Sequence, residues 1–130
     1  MTDRLPHRPP LSAHEVEEMI QHTLATLEEL VEDYADIAER SAVSEVEFKR
    51  EQAQTLLAVT DAAARRGRKM TADERSARVE VAVNDLRRVA AIAAASRESA
   101  REAMNTHRTR LEALRTLAAN VRAVTTDRFG

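Results

Sequence analysis

Hydrophobic side chains recur at alternating steps of three and four residues in two long stretches of this chain. That spacing is typical of helices that pack along a shared seam, meaning a line of side chains facing a neighbouring helix. The first predicted seam runs through Ile20, Leu24, Leu27, Val31, Tyr34 and Ala38. The second repeats every seven residues at Leu86, Ala93, Ala100, His107, Leu114 and Val121, with Ala90, Arg97, Met104, Leu111 and Ala118 between them.

Two N-cap signals and one glycine mark the expected helix ends. Ser12 and Thr71 each precede a glutamate by three residues, which is the pattern of a capping box. Gly67 can take the left-handed conformation that closes a helix. Since a short turn between helices of similar length makes an antiparallel hairpin, we predict an all-α, two-helix hairpin. The predicted segments are a proline-containing tail over 1–11, a helix over about 13–66, a basic turn over 66–71 and a helix over about 72–125.

The composition agrees with helices and excludes most folds that contain sheets. The chain has only two glycines, and its three prolines all lie in the first ten residues. Strands need turn residues between them, so a sandwich, a barrel or a Gly-rich phosphate loop is excluded. Only 2% of the residues are aromatic and the second helix is rich in alanine, so the buried apolar area per residue is small. We therefore expect a homo-oligomer. The apolar pattern also weakens between Ser41 and Ser44, where a kink or a change of register is expected.

Little in the sequence points to catalysis. Cysteine is absent, so there is no thiolate nucleophile, and no carboxylate pair lies in an apolar stretch. His14, Glu18 and His22 share a helical face, but this spacing is common on polar faces, so neither a metal nor a cofactor is expected. His107 is interpreted as a core histidine that is hydrogen-bonded across an interface. We therefore expect a non-enzymatic protein. Because the sequence has neither an apolar leader nor an 18-residue apolar run, we also expect a cytoplasmic protein that does not cross a membrane.

Charge is segregated along the chain. Residues 12–51 hold 12 acids and 3 bases, whereas residues 61–130 hold 15 bases and 9 acids. One arginine series recurs every seven residues, one position after the second seam. In a hairpin centred near residue 69 it would lie beside acids of the first helix, which predicts salt bridges that set the register. A track for a phosphate backbone is the alternative. The series is Arg101, Arg108, Arg115 and Arg122.

The turn is the second concentration of positive charge. A basic loop is a signal for polyanion binding, and its alternative is a solvated helix end at which bases offset the helix dipole. The candidate DNA-binding residues are Arg65, Arg66, Arg68, Lys69, Arg75 and Arg78. The candidate seam residues are Leu24, Leu27, Val31, Tyr34, Leu86, His107, Leu111, Leu114 and Val121.

The order of these features resembles the UvsY-type recombination mediators of bacteriophages. A tyrosine–alanine segment over 34–38 is followed by a charged stretch over 45–53, a basic glycine turn over 65–69 and a second long helix. The likeness covers the layout of residues 28–125. It implies a ring-like homo-oligomer that binds single-stranded DNA, contacts a single-strand-binding protein and helps to load a RecA-like recombinase.

Two classes of function follow. The first is an oligomeric accessory protein of phage-type DNA recombination or replication that binds single-stranded DNA through the turn. The second is a coiled-coil protein-binding adaptor, structural spacer or helical inhibitor of a host protein with no nucleic-acid role. Residues 52–64 contain no base, which favours the second class, whereas the basic turn favours the first.

Overall fold

The computed structural model describes residues 11–129, and side chains over 11–126. Helix α1 spans Ala13–Arg65 and helix α2 spans Ala72–Phe129, and the described residues contain no strand. The two helices pack against each other as a hairpin, which confirms the all-α prediction. Helix α2 continues four residues beyond the predicted end. The proline-containing tail lies outside the described residues, apart from Leu11. No helix in the described part is long and apolar enough to cross a bilayer.

Both predicted N-caps are confirmed. The Ser12 hydroxyl oxygen accepts a hydrogen bond of 3.1 Å from the backbone N–H of Glu15. The Thr71 hydroxyl oxygen accepts one of 3.2 Å from the backbone N–H of Glu74. The first N–H groups of a helix have no partner within it, so each hydroxyl satisfies one donor that would otherwise depend on water.

Gly67 ends α1 in the predicted left-handed conformation, with φ of 64°. Its N–H donates to the Ala64 carbonyl at 3.2 Å, and the Arg68 N–H donates to the Ala63 carbonyl at 3.1 Å. This pair of bonds is a Schellman motif, which satisfies two carbonyls at the end of the helix. The backbone alone therefore turns the chain between α1 and α2.

Helix α1 is uninterrupted through Ser41–Ser44, where the weak apolar pattern predicted a kink. Ser41 is buried and Ser44 is half-buried, so both serines lie on the packed side of the helix. The apolar pattern fades there because small polar residues occupy inward positions, and the helix itself continues.

The chain divides into two units. The terminal unit consists of residues 11–31 and 102–129. Val16 and Ile20 of α1 form one buried cluster with three side chains of α2, and four half-buried hydrophobic residues pack around it. The α2 members are Leu111, Leu114 and Ala118, and the surrounding residues are Met19, Leu24, Leu27 and Leu117.

The turn unit consists of Glu32–Arg101. Its buried side chains are small, and many of its large hydrophobic side chains are exposed. The guanidinium carbon of Arg87 lies 5.3 Å from the centroid of the Phe48 ring, and Arg87 also pairs with Glu80. The buried residues are Ser41, Val79, Val83 and Ala90, and the exposed ones are Val43, Val46, Leu56, Leu57, Val81, Val89 and Ile92.

The first seam differs from the prediction at Val31, which is 46% exposed. Leu30 is half-buried in its place, and Thr23 is more deeply buried than Leu24. The Thr23 hydroxyl donates to the Met19 carbonyl at 2.8 Å, so this polar side chain is buried with its donor satisfied. A search for apolar residues passes over Thr23 and selects Val31, which lies one position after the half-buried Leu30.

The remaining candidate seam residues lie on the packed sides of the two helices. Leu111 and Leu114 are buried, and the others are half-buried. Arg97 falls in the same series but is exposed. The half-buried candidates are Leu24, Leu27, Tyr34, Leu86, His107 and Val121.

Candidate nucleic-acid interface

Four bases and Gly67 make up residues 65–69 at the turn. Arg65 is the last residue of α1, and Arg66, Arg68 and Lys69 follow it before α2 begins. All four side chains are exposed. Within the described side chains, none of them lies within 4 Å of a carboxylate. The turn therefore presents four positive charges that have no ion-pair partner among the described side chains.

The helix end does not use these bases as caps. The carbonyls of Ala63 and Ala64 already accept the two backbone hydrogen bonds of the Schellman motif. In the described residues, no side-chain hydrogen bond joins a turn base to an α1 carbonyl. The bases near the end of α1 still offset the negative end of the helix dipole, and this electrostatic effect needs no hydrogen bond, so their N–H donors stay free for a ligand.

The two other candidates on α2 differ from each other. Arg75 is half-buried, and its backbone N–H donates to the Thr71 carbonyl at 3.1 Å in the first turn of the helix. Arg78 is exposed. Arg75 therefore packs near the hairpin seam, whereas Arg78 is accessible to a ligand that also contacts the turn.

The predicted salt bridges of the arginine series are absent from the described residues. All four arginines are exposed and have no carboxylate within 4 Å. The prediction failed because it considered only the levels of the residues along the two helices, whereas the four arginine side chains lie on the exposed side of α2. Ile20 packs in one cluster with Leu114, and Phe48 lies beneath Arg87, so the hairpin is centred close to residue 67.

The ion pairs that do form are local. Two join residues four apart on α1, and the third joins residues seven apart on α2. All their side chains are at least 43% exposed, so each pair contributes only about 0–1 kcal/mol. They are His14–Glu18 at 3.1 Å, Lys49–Glu45 at 3.4 Å, and Arg87–Glu80.

The histidines form no metal centre within the described residues. No three His, Asp or Glu side chains of residues 11–126 are placed to share an ion. His107 Nδ1 lies 2.9 Å from the carbonyl of Ala103, one turn earlier on α2. Because a carbonyl only accepts, Nδ1 carries the proton in this contact. Within one chain, His107 is therefore hydrogen-bonded inside its own helix, and the hydrogen bond across an interface stays a prediction.

An open groove in the turn unit was not identified from the sequence. Val43 of α1 faces Val89 and Ile92 of α2 across a volume of about 500 Å³. Glu39, Arg40, Ser44 and Ala93 complete its walls. The only sequence signal was the presence of these aliphatic residues outside the predicted seam. We call this feature the valine groove.

No protein-family model matches this chain, and neither a curated protein nor a solved structure does. The two surface features therefore stand on their own chemistry. The turn offers several hydrogen-bond donors with positive charge, which suits phosphate oxygens. The valine groove offers aliphatic surface, which suits another apolar side chain.

Proposed function

We propose that this protein is a non-enzymatic, oligomeric accessory protein of phage-type DNA recombination or replication. In this proposal it binds single-stranded DNA through the basic turn and assists a recombinase or a single-strand-binding protein in the cytoplasm. The observation that supports it is the set of four exposed bases around Gly67, which have no carboxylate within 4 Å in the described structure. The layout that resembles UvsY-type mediators supports it as well.

The proposed binding is electrostatic. Stacking with bases needs exposed aromatic rings. Tyr34 and Phe48 are half-buried in the turn unit, and the Phe48 ring is already covered by Arg87. Affinity would then come from counterion release, which for single strands gives a log–log salt slope of about −0.7 per phosphate contacted. Four contacts at one turn correspond to a slope of about −3.

The first test compares two variants that each lose four positive charges. One replaces Arg65, Arg66, Arg68 and Lys69 with glutamine. The matched control replaces the exposed arginine series on α2, which is the alternative phosphate track. Binding to a labelled single-stranded oligonucleotide is measured by anisotropy at several salt concentrations, and helicity is checked by circular dichroism. The control replaces Arg101, Arg108, Arg115 and Arg122 with glutamine.

We expect the turn variant to bind much more weakly than the unmodified protein, and any remaining binding to have a log–log salt slope smaller in magnitude by about 3. The control variant should keep most of its affinity. The reverse result would transfer the site from the turn to the arginine series. No binding by the unmodified protein even at low salt would overturn the proposal.

A protein-binding role is the second candidate. The valine groove favours it, because exposed aliphatic surface on both helices is typical of protein contacts. In this version the protein is a coiled-coil adaptor, a spacer or a helical inhibitor of a host protein. Absence of DNA binding together with retained helicity would favour this candidate over the first.

A further inference from the structure

The valine groove remains exposed after the hairpin has formed. Val43, Val89 and Ile92 are 50%, 53% and 64% exposed. They come from both helices and line one continuous surface in the turn unit. The hairpin's own packing uses Ser41 and Ala90 at this level, so the larger aliphatic side chains are left outside it. Such a surface loses contact with water when a partner covers it.

The two helix segments that bear the groove differ in net charge. The α1 segment over residues 32–47 holds six acids and one base, so its net charge is −5. The α2 segment over residues 87–101 holds four bases and one acid, so its net charge is +3. A partner that complements this surface is basic beside α1 and acidic beside α2. A second copy of the chain has both features, provided that its α2 lies on the first copy's α1.

We propose that the valine groove is the contact surface of a symmetric dimer, occupied by the same groove of a second copy. The two-fold axis runs parallel to the helices of the turn unit. This arrangement sets each acidic α1 segment against the partner's basic α2 segment. The other face-to-face arrangement, with the axis across the helices, sets acid against acid and base against base. Complementary charge therefore selects the first arrangement.

The register of the hairpin agrees with this axis. Because Arg87 lies over Phe48 and Val43 lines the groove together with Val89 and Ile92, Val43 lies at the level of residues 89–92 on α2. An axis parallel to the helices keeps every level unchanged. Val43 of one copy therefore meets the segment that holds Val89 and Ile92 of the other, and the same contact is made twice. The axis also places both basic turns at the same end of the dimer.

This proposal identifies the surface through which the oligomer of the proposed function forms. Its test does not depend on DNA binding. The first experiment measures self-association by sedimentation equilibrium for the unmodified chain and two variants. Ile92→Glu puts a charge in the groove, beside the partner's acidic α1. Val124→Glu is the matched control, because Val124 is 60% exposed but belongs to the terminal unit. Circular dichroism checks that both variants keep their helicity.

We expect Ile92→Glu to weaken the dimer by about tenfold or more and Val124→Glu to change it by less than about twofold. High salt should also weaken the unmodified dimer, since opposite charges across the interface are screened. A monomer at all concentrations, or equal effects of the two substitutions, would overturn the proposal. DNA binding by a monomeric Ile92→Glu variant would show that the proposed DNA-binding site is independent of the dimer, so a failure of the interface and a failure of the DNA-binding proposal are distinguishable.

A second experiment reports the axis directly. The chain contains no cysteine, so single introduced thiols are unambiguous. Val43→Cys and Ile92→Cys proteins are oxidised separately and as a mixture. The proposed axis predicts that the mixture forms a disulfide-linked dimer much faster than either protein alone. Equal or faster linkage of each protein with itself would overturn the parallel axis.

Discussion

The terminal unit and the turn unit contain the same two helices, yet they bury different kinds of side chain. In the terminal unit, Leu111 and Leu114 meet Val16 and Ile20 in a closed cluster. In the turn unit, serine, alanine and valine occupy the buried positions, and seven large aliphatic side chains are exposed. The residue spacing is similar in both units. The comparison shows that spacing places a side chain on the packed side, whereas its size decides how much apolar surface is removed from water.

The two units differ in which groups they bury and which they leave exposed to partners. The terminal unit holds the buried cluster of large hydrophobic side chains, so we expect it to contribute most of the hydrophobic stability of the hairpin. The turn unit leaves aliphatic surface and unpaired cations exposed, and these are the groups that partners can use. Both proposed functional surfaces, the basic turn and the valine groove, lie in the turn unit.

The largest effect is expected from a truncation in the terminal unit. Leu114→Ala removes a buried side chain from the closed cluster and should lower the free energy of unfolding by about 2–5 kcal/mol. The matched change in the turn unit is Leu86→Ala, where the side chain is only half-buried and less area is lost. Urea unfolding followed by circular dichroism measures both. A Leu86→Ala variant that is destabilised as much as Leu114→Ala would contradict the comparison.

A smaller effect is expected at the turn. Gly67→Ala forces a residue with a Cβ into the left-handed region and should cost about 1–2 kcal/mol. An added Cβ meets no atom within 4 Å, so the cost is conformational rather than steric. Hydrogen exchange should show faster opening of amides near the turn and unchanged protection at Leu111 and Leu114. Gly67→Asn, which tolerates this conformation better, is the control and should cost less. Equal losses for the two variants would argue against backbone strain as the cause.

The smallest effect is expected from Arg87, which joins the two helices of the turn unit. Arg87→Gln removes the contact with the Phe48 ring and the ion pair with Glu80. Because these side chains are largely exposed, we expect a loss of about 0.5–1 kcal/mol in thermal or urea unfolding. Arg88→Gln is the control, since Arg88 is exposed and makes no ion pair in the described structure. A loss of several kcal/mol would mean that the turn unit depends on this contact far more than its burial suggests.

The helix ends were predictable because their signals are local. Ser12, Thr71 and Gly67 act through backbone atoms within three or four residues, and those distances are set by the chain itself. Thr23 and Val31 were misjudged because a hydroxyl bonded within its own helix can be buried, a possibility that hydrophobicity does not register. The apolar pattern weakens at Ser41–Ser44 for a related reason: inward-facing serines look like an interruption, although α1 continues through them.

Whether the charged side chains form ion pairs was harder to predict. The arginine series was expected to pair with acids of α1, but all four side chains are exposed and none has a carboxylate within 4 Å among the described side chains. An exposed pair contributes only about 0–1 kcal/mol, too little to hold two such side chains together against water. The valine groove was missed because Val43, Val89 and Ile92 are far apart in the sequence and meet only after the hairpin folds.

By itself, the sequence determined that the chain is helical, where its helices start and turn, and that its turn is basic. These properties depend on neighbouring residues and on composition. The tertiary structure alone decided which positions are buried, which arginines lack partners and where aliphatic surface remains exposed. The reason is that these properties depend on the register between two helices, and packing between residues distant in the sequence sets that register.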